Sequence, residues 1–170
     1  MAVLNGIEIR GVKKRLGHEG EELPYGNVYY LRKRVGYFEL LDWGAGFTYT
    51  HTSAVIDEDK IITEATKVQE LMGWHEKYKE LEMVDVVLNE LITFKDEEME
   101  FKKAIKKGCY FVTTYEDMSL DPYDHHPSKL KRYYMVPVEF KNELDELVND
   151  LNKEGFKVRV YRSEKDFVKC

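Results

Sequence analysis

Asn27-Val28-Tyr29-Tyr30-Leu31-Arg32-Lys33-Arg34-Val35-Gly36-Tyr37-Phe38-Glu39-Leu40-Leu41 is the stretch on which the fold turns. Two runs rich in β-branched and aromatic residues, Asn27 to Leu31 and Val35 to Leu41, stand on either side of three cations. Side chains of this kind fill a pleated surface well. Their separation predicts a β-hairpin, although the favoured Asn-Gly turn is missing between them. Toward the N-terminus, Leu4, Ile7, Ile9 and Val12 mark a strand from Val3 to Val12. Lys13 to Gly26 contains Gly17, Gly20, Pro24 and Gly26 and reads as a long polar turn. On the other side, Asp42-Trp43-Gly44-Ala45-Gly46 interrupts the sheet before Phe47 to Ile56, where period two places Phe47, Tyr49 and His51 on one face. Asp57 to Lys60 then reads as a turn into a short Ile61-Ile62 strand.

From about Thr63 the apolar period changes from 2 to 3.6. Ala65, Val68, Leu71 and Met72, continued by His75 and Tyr78, predict one helix, and Val84, Val87, Leu88 and Leu91 a second. Thr93 followed by Asp96 resembles a capping box, which opens a third helix that ends at Lys106-Lys107-Gly108, with cations in its last turn and glycine beyond. Cys109 to Tyr115 reads as a strand, Glu116 to Lys131 as a polar loop, and Tyr133 to Phe140 as a strand that Pro137 confines to an edge. Asn142 to Glu154 follows as a helix with Leu144, Leu147, Val148 and Leu151 on one face, closed by Gly155 before a last strand, Phe156 to Tyr161. Strands grouped ahead of helices indicate an α+β fold: an N-terminal antiparallel β-meander, central helices and a C-terminal β-β-α-β unit. Tyr133 to Phe140, its helix and Phe156 to Tyr161 have the length of a parallel crossover. No linker or repeat divides the chain, so residues 1–170 are expected to form a single compact domain.

With 170 residues, 43% of them hydrophobic, the chain has enough apolar material for a core and is not a disordered polymer. No apolar run approaches the ~18 residues of a membrane span, and the start lacks a signal-peptide pattern, so a cytoplasmic protein without a membrane partner is expected. Cys109 and Cys170 have neither the number nor the spacing of a disulfide framework or zinc site. The net charge of -6 argues against nucleic acid as a partner. That charge is uneven. Residues 1–56 hold 7 basic and 6 acidic side chains, whereas residues 57–108 hold 9 and 14.

Four constellations bear on chemistry. On a strand, His51 and Ser53 point to one side and can address one phosphate, and a second His-x-Ser occurs at His126 and Ser128. The two pairs resemble the two-histidine phosphoesterases, which implies acid–base cleavage of a nucleotide phosphodiester; the departure is that the second pair lies in a loop rather than on a strand. Tyr49 to Ile56 also looks like the core of permuted papain-like amidases, with Cys109 as the available nucleophile, but Cys109 opens a strand where that family begins a helix. Asp121, Asp124, His125 and His126 bring oxygen and nitrogen donors together without matching a zinc spacing, and no metal or cofactor is assigned. The fourth is aromatic. Among 12 tyrosines, Tyr25, Tyr29, Tyr30, Tyr37 and Tyr49 crowd the first strands, and Tyr29, Tyr30 and Tyr37 with Arg32 and Arg34 form a candidate binding surface.

Gly6 to Val12, Gly17-His18-Glu19-Gly20, Asn27 to Leu31, Arg34 to Tyr37 and Asp42 to Gly46 resemble the opening of small accessory proteins of tailed bacteriophages of Gram-positive hosts. The resemblance spans about the first 46 residues. It implies a protein made in an infected bacterial cytoplasm that binds a host or defence component. The expected function is therefore non-enzymatic binding, through the tyrosine-bearing β surface or the acidic central helices. The alternative is the phosphoesterase.

Overall fold

The computed structural model describes residues 2–41, 46–72, 83–115 and 132–169. Its elements are β1 (Val3–Leu4), β2 (Ile7–Leu16), β3 (Glu22–Tyr30), β4 (Lys33–Leu40), β5 (Phe47–His51), α1 (Glu58–Met72), α2 (Met83–Lys106), β6 (Cys109–Tyr115), β7 (Tyr133–Pro137), α3 (Lys141–Lys153), β8 (Lys157–Tyr161) and β9 (Val168–Lys169). The fold is α+β, and the N-terminal strands are antiparallel. The residues group into two compact units, Met1–Lys95 with Phe167–Cys170, and Asp96–Asp166.

The first unit is built on a six-stranded sheet in the order β5-β4-β3-β2-β1-β9. The expected Val3–Val12 strand is broken at Asn5-Gly6, where both residues have positive φ, 46° and 79°, and Leu4 pairs with Ile7. This is the Asn-Gly hairpin turn absent from the Tyr30–Lys33 connection. The long turn expected over Lys13–Gly26 is mostly strand, since β2 and β3 stay paired as far as Leu16 and Glu22 and only 17–21 turn the chain. Gly11, at φ 62°, makes a bulge between Arg10 and Lys13 that lets the ribbon continue. Pro24 is tolerated because the β3–β4 pairing ends at Tyr25 opposite Glu39, so no partner strand needs its missing N–H on that side.

The hairpin between β3 and β4 forms as expected, but its turn is Leu31–Arg32, both at positive φ. The strand expected to reach Ile56 ends at His51. Ser53 stops it: its Oγ accepts from the backbone N–H groups of Val55 and Ile56, an alternative to sheet pairing. Ile61-Ile62 is not a strand either. It lies inside α1, where Ile61, Ala65 and Val68 are buried one turn apart.

The second and third predicted helices are one. Val87, Leu88, Leu91, Phe94, Glu97, Glu98, Phe101 and Ala104 keep one buried stripe along α2, and a continuous stripe outweighs a capping signal at Thr93. The helix stops as foreseen, with Gly108 at φ 69°. Ile7, Ile9, Val28, Val35, Phe38 and Phe47 of the sheet pack with Ile61, Ala65 and Val68 of α1 and Val87, Leu88, Leu91 and Phe94 of α2. Each such fully buried aliphatic or aromatic side chain stabilises by about 1.5–3 kcal/mol. Lys95 Nζ donates to the Ile9 carbonyl at 3.1 Å, beside the bulge.

The second unit holds a three-stranded sheet in the order β7-β6-β8. β6 is antiparallel to both neighbours, so β7 and β8 run parallel to each other but do not pair. The connection through α3 therefore passes over β6 and is a split form of the expected crossover. Pro137 ends the edge strand β7, as its missing N–H requires. One face of the sheet carries Val112 and Val136 against Leu144 and Leu151 of α3. The other presents Phe111, which stacks on Tyr161 at 5.9 Å and meets Tyr133 at 5.4 Å. The buried Glu97 carboxylate accepts from the Tyr161 hydroxyl, and Arg159 Nη1 lies 3.9 Å away.

Candidate binding surface

Alternation divides the four tyrosines of β3 and β4. In β3, Val28 is in the core and Tyr30 packs against it, which sends Tyr25, Asn27 and Tyr29 to the opposite face of the sheet. In β4, Val35 and Phe38 are in the core, and Tyr37 stands across from Asn27 on the outer face. The candidate set Tyr29, Tyr30, Arg32, Arg34 and Tyr37 is thus split. Tyr29, Arg34 and Tyr37 share the outer face, Tyr30 faces the core, and Arg32 belongs to the turn.

Pairing sets the outer face in rows. Glu8, Tyr29 and Arg34 form one; Arg10, Asn27, Tyr37 and Thr50 the next; Lys13, Tyr25, Glu39 and Thr48 the third. Charge along these rows is mostly matched. Arg10 Nη2 bonds Glu8 Oε1 at 2.6 Å, and the Arg10 guanidinium lies 4.5 Å over the Tyr29 ring. Arg15 pairs with Glu39 at 3.2 Å and also donates to the Leu40 carbonyl. Lys13 and Arg34 have no ion-pair partner among the described residues.

These two cations line a groove of about 370 Å³ together with Gly11, Tyr25, Gly26, Asn27, Tyr37, Phe38 and Glu39. Glycine makes its floor. Gly26 lies on the core-facing side of β3, where a Cβ would stand 3.0 Å from the fully buried Phe38 ring and 3.2 Å from the Arg10 carbonyl, so toward the groove it adds only backbone between Tyr25 and Asn27. Tyr25 and Tyr37 are 37% and 38% exposed and form its aromatic walls. Lys13, Tyr25 and Asn27 join the groove from outside the candidate set of Tyr29, Tyr30, Arg32, Arg34 and Tyr37. Counting back by twos from Tyr29 finds Tyr25 and Asn27 once β3 is extended through Pro24.

The histidine of the phosphoesterase reading is held by its own strand. Tyr49 Oη lies 2.9 Å from His51 Nδ1, and His51 Nε2 lies 3.0 Å from the Ser53 carbonyl. A carbonyl only accepts, so the proton of that bond is on Nε2, while the Tyr49 hydroxyl at Nδ1 also lies 3.5 Å from the Val35 carbonyl. Burial, with the Glu58 charge adding to it, pushes the Tyr49 hydroxyl up to about 12 and keeps it a donor at neutral pH. Ser53 Oγ is engaged by Val55 and Ile56. His126 and Ser128, like Asp121, Asp124 and His125, lie outside the described residues. Cys109 opens β6 rather than a helix, with Sγ 3.6 Å from the Lys107 carbonyl. No group of three or more His, Cys, Asp or Glu side chains that could hold a metal occurs among the described residues.

The acidic helices present less charge than their composition promises. Glu64, Glu97 and Glu98 are buried. Glu64 pairs with Lys60 and Lys67, Glu98 with Lys102 and Glu100 with Lys103. Among the described residues, no helix is long and apolar enough to cross a membrane. The chain matches no family model, no curated protein and no solved structure.

Proposed function

We propose that this chain is a non-enzymatic binding protein of the type made by tailed phages as accessory factors, and that it engages a host or defence protein in the bacterial cytoplasm through the outer face of its six-stranded sheet. The observation that supports this reading is the groove in which exposed Tyr25 and Tyr37 stand beside two cations without an ion-pair partner among the described residues. Tyrosine and arginine are the residue types that carry most binding energy where proteins meet, because a large ring or a planar cation is anchored at little entropic cost. The acidic helices contribute less, since lysines one turn away neutralise several of their carboxylates.

Affinity capture from a Gram-positive bacterial lysate tests the reading. The wild-type chain retains a defined protein, and a Tyr25→Ser/Tyr37→Ser variant with an unchanged far-ultraviolet spectrum loses it. Equal retention by both proteins, or hydrolysis of a cyclic nucleotide by the wild type with no protein retained, overturns it.

A further inference from the structure

We infer that the groove on the outer sheet face recognises an extended acidic segment of a protein partner, with carboxylates at positions i and i+4 and a bulky apolar side chain at i+2. This inference rests on the binding reading above and specifies the chemistry of the partner.

Three features of the face carry it. The first is charge. Glu8 and Glu39 are matched by Arg10 and Arg15, whereas Lys13 and Arg34 have no ion-pair partner among the described residues and line one groove. Complementary ligand charge is what such a surface selects. The second is spacing. Lys13 stands opposite Tyr25 and Arg34 opposite Tyr29, four residues apart along β3. That is roughly 13 Å along the strand, and the two cations lie on flanking strands roughly 10 Å apart. The diagonal between the two positions is therefore roughly 16 Å, and both residues line the groove between them. An extended peptide spans ~13 Å from i to i+4, with i, i+2 and i+4 on one side, and glutamate side chains cover the remaining distance.

The third is the floor. Between the cations, the backbone at Gly11 and Gly26 floors a recess walled by the exposed rings of Tyr25 and Tyr37, diagonal neighbours across β3 and β4. At about 370 Å³ it has room for a single aromatic or large aliphatic side chain. Such an anchor in a pocket, with charges at the rim, is the usual arrangement of a binding hot spot. Asn27, between the two rows, offers its amide to the peptide backbone. A nucleic-acid strand fits less well, because two cations at the ends of one groove make no basic stripe along which a run of phosphates could lie.

The probe is a capped synthetic pentapeptide, Glu-Ser-Phe-Ser-Glu, added to the full-length ¹⁵N-labelled chain and followed by amide chemical shifts. Binding is expected to move the Gly11, Gly26, Asn27 and Tyr37 amides, to weaken at least fivefold between 50 and 500 mM salt, and to weaken at least fivefold for the composition-matched Glu-Glu-Phe-Ser-Ser. Lys13→Glu/Arg34→Glu is expected to bind at least tenfold more weakly, and its dispersed amide spectrum reports that it is folded. If that variant unfolds, Lys13→Gln and Arg34→Gln separately give the same direction. Equal binding of the two acidic peptides, shifts confined to other residues, no shift at millimolar peptide, or saturation by adenosine monophosphate alone each overturns the inference. A host protein lost by Tyr25→Ser/Tyr37→Ser but retained by Lys13→Glu/Arg34→Glu leaves the binding reading standing and removes the acidic segment.

Discussion

Asn5 Nδ2 donates to Glu64 Oε2 at 2.6 Å and to the Glu64 carbonyl at 3.2 Å, so a single turn residue fastens the first hairpin to α1. The same residue donates its backbone N–H to the Lys169 carbonyl at 2.6 Å, which brings the end of the chain to the start of the sheet. Asn5 does this from φ 46°, a conformation that asparagine tolerates better than most residues. Replacing it therefore has two separable effects. Asn5→Gly keeps the backbone and removes the side-chain bonds, with an expected loss of about 1–2 kcal/mol of stability in urea unfolding. Asn5→Ala adds the cost of a Cβ at positive φ, about 1 kcal/mol more. Equal midpoints for the two variants contradict this division.

Glu64 also gives the stability a definite acid dependence. Hydrogen bonds from Lys60 and Lys67 hold its carboxyl down to about 2 against an ordinary 4.5, opposed by burial and assisted by Asn5. A carboxylate whose folded value is depressed contributes its full stability above the unfolded value and loses it as pH falls toward the folded one. The contribution is thus complete above about pH 5 and declines from there toward pH 2. Urea midpoints at pH 7, 4 and 3 are expected to fall less steeply for Glu64→Gln than for the wild type. Parallel decline rules the assignment out.

The turn between β3 and β4 is strained where the sequence is least suited to it. Leu31 and Arg32 take φ of 47° and 69°, and Leu31 is 65% exposed. Glycine has no steric penalty there. Arg32→Gly is expected to raise unfolding free energy by about 0.5–1 kcal/mol, since the strain relieved exceeds the flexibility added. A thermal unfolding midpoint below the wild type's contradicts it.

Gly36 pairs with His51 of β5 and leaves no room for a side chain. A Cβ at this position would meet the Thr50 carbonyl oxygen at 2.3 Å and the Tyr49 ring at 2.7 Å. The first of these is backbone in the partner strand and cannot turn aside. Gly36→Ala is expected to cost about 2–4 kcal/mol and to disturb the Tyr49–His51 hydrogen bond, read as a changed His51 ring resonance. Gly20→Ala, with nothing within 4 Å of its Cβ, serves as the comparison for backbone strain alone, because its φ is 82°.

Legibility in the sequence followed the range of the forces involved. The α2 terminus at Gly108, the strand Cys109–Tyr115 and α3 depend on local signals and are readable from a few neighbouring residues. Lys13–Leu16 and Glu22–Gly26 are strand because each is paired with the other, a non-local gain that outweighs their glycine and proline content. Thr93 fails as a helix start for a related reason: the capping signal is local, while the stripe from Val87 to Ala104 is held by packing along the whole helix. The candidate surface was half legible. Its tyrosines stand out by composition, but which of Tyr29 and Tyr30 faces outward depends on register, and a slip of one residue exchanges the two faces.

The pair formed by Tyr161 and Glu97 sets a last expectation. Glu97 is fully buried on α2, its carboxylate accepts from the Tyr161 hydroxyl, and Arg159 is 3.9 Å away. Burial, with the nearby charges of Glu97, Asp96 and Glu100 adding to it, pushes the neighbouring Tyr133 hydroxyl up to about 12. Removing one donor from a buried carboxylate costs more than the bond itself, because the oxygen is left without water to replace it. Tyr161→Phe keeps the ring that stacks on Phe111 and removes only the hydroxyl, with an expected loss of about 1.5–3 kcal/mol. Adding Glu97→Gln to that variant removes the charge and is expected to recover part of the loss, so that the double variant is more stable than Tyr161→Phe alone. A double-mutant cycle in urea reads the coupling. Strict additivity, with no recovery, shows that the Tyr161 hydroxyl contributes nothing to keeping the carboxylate buried.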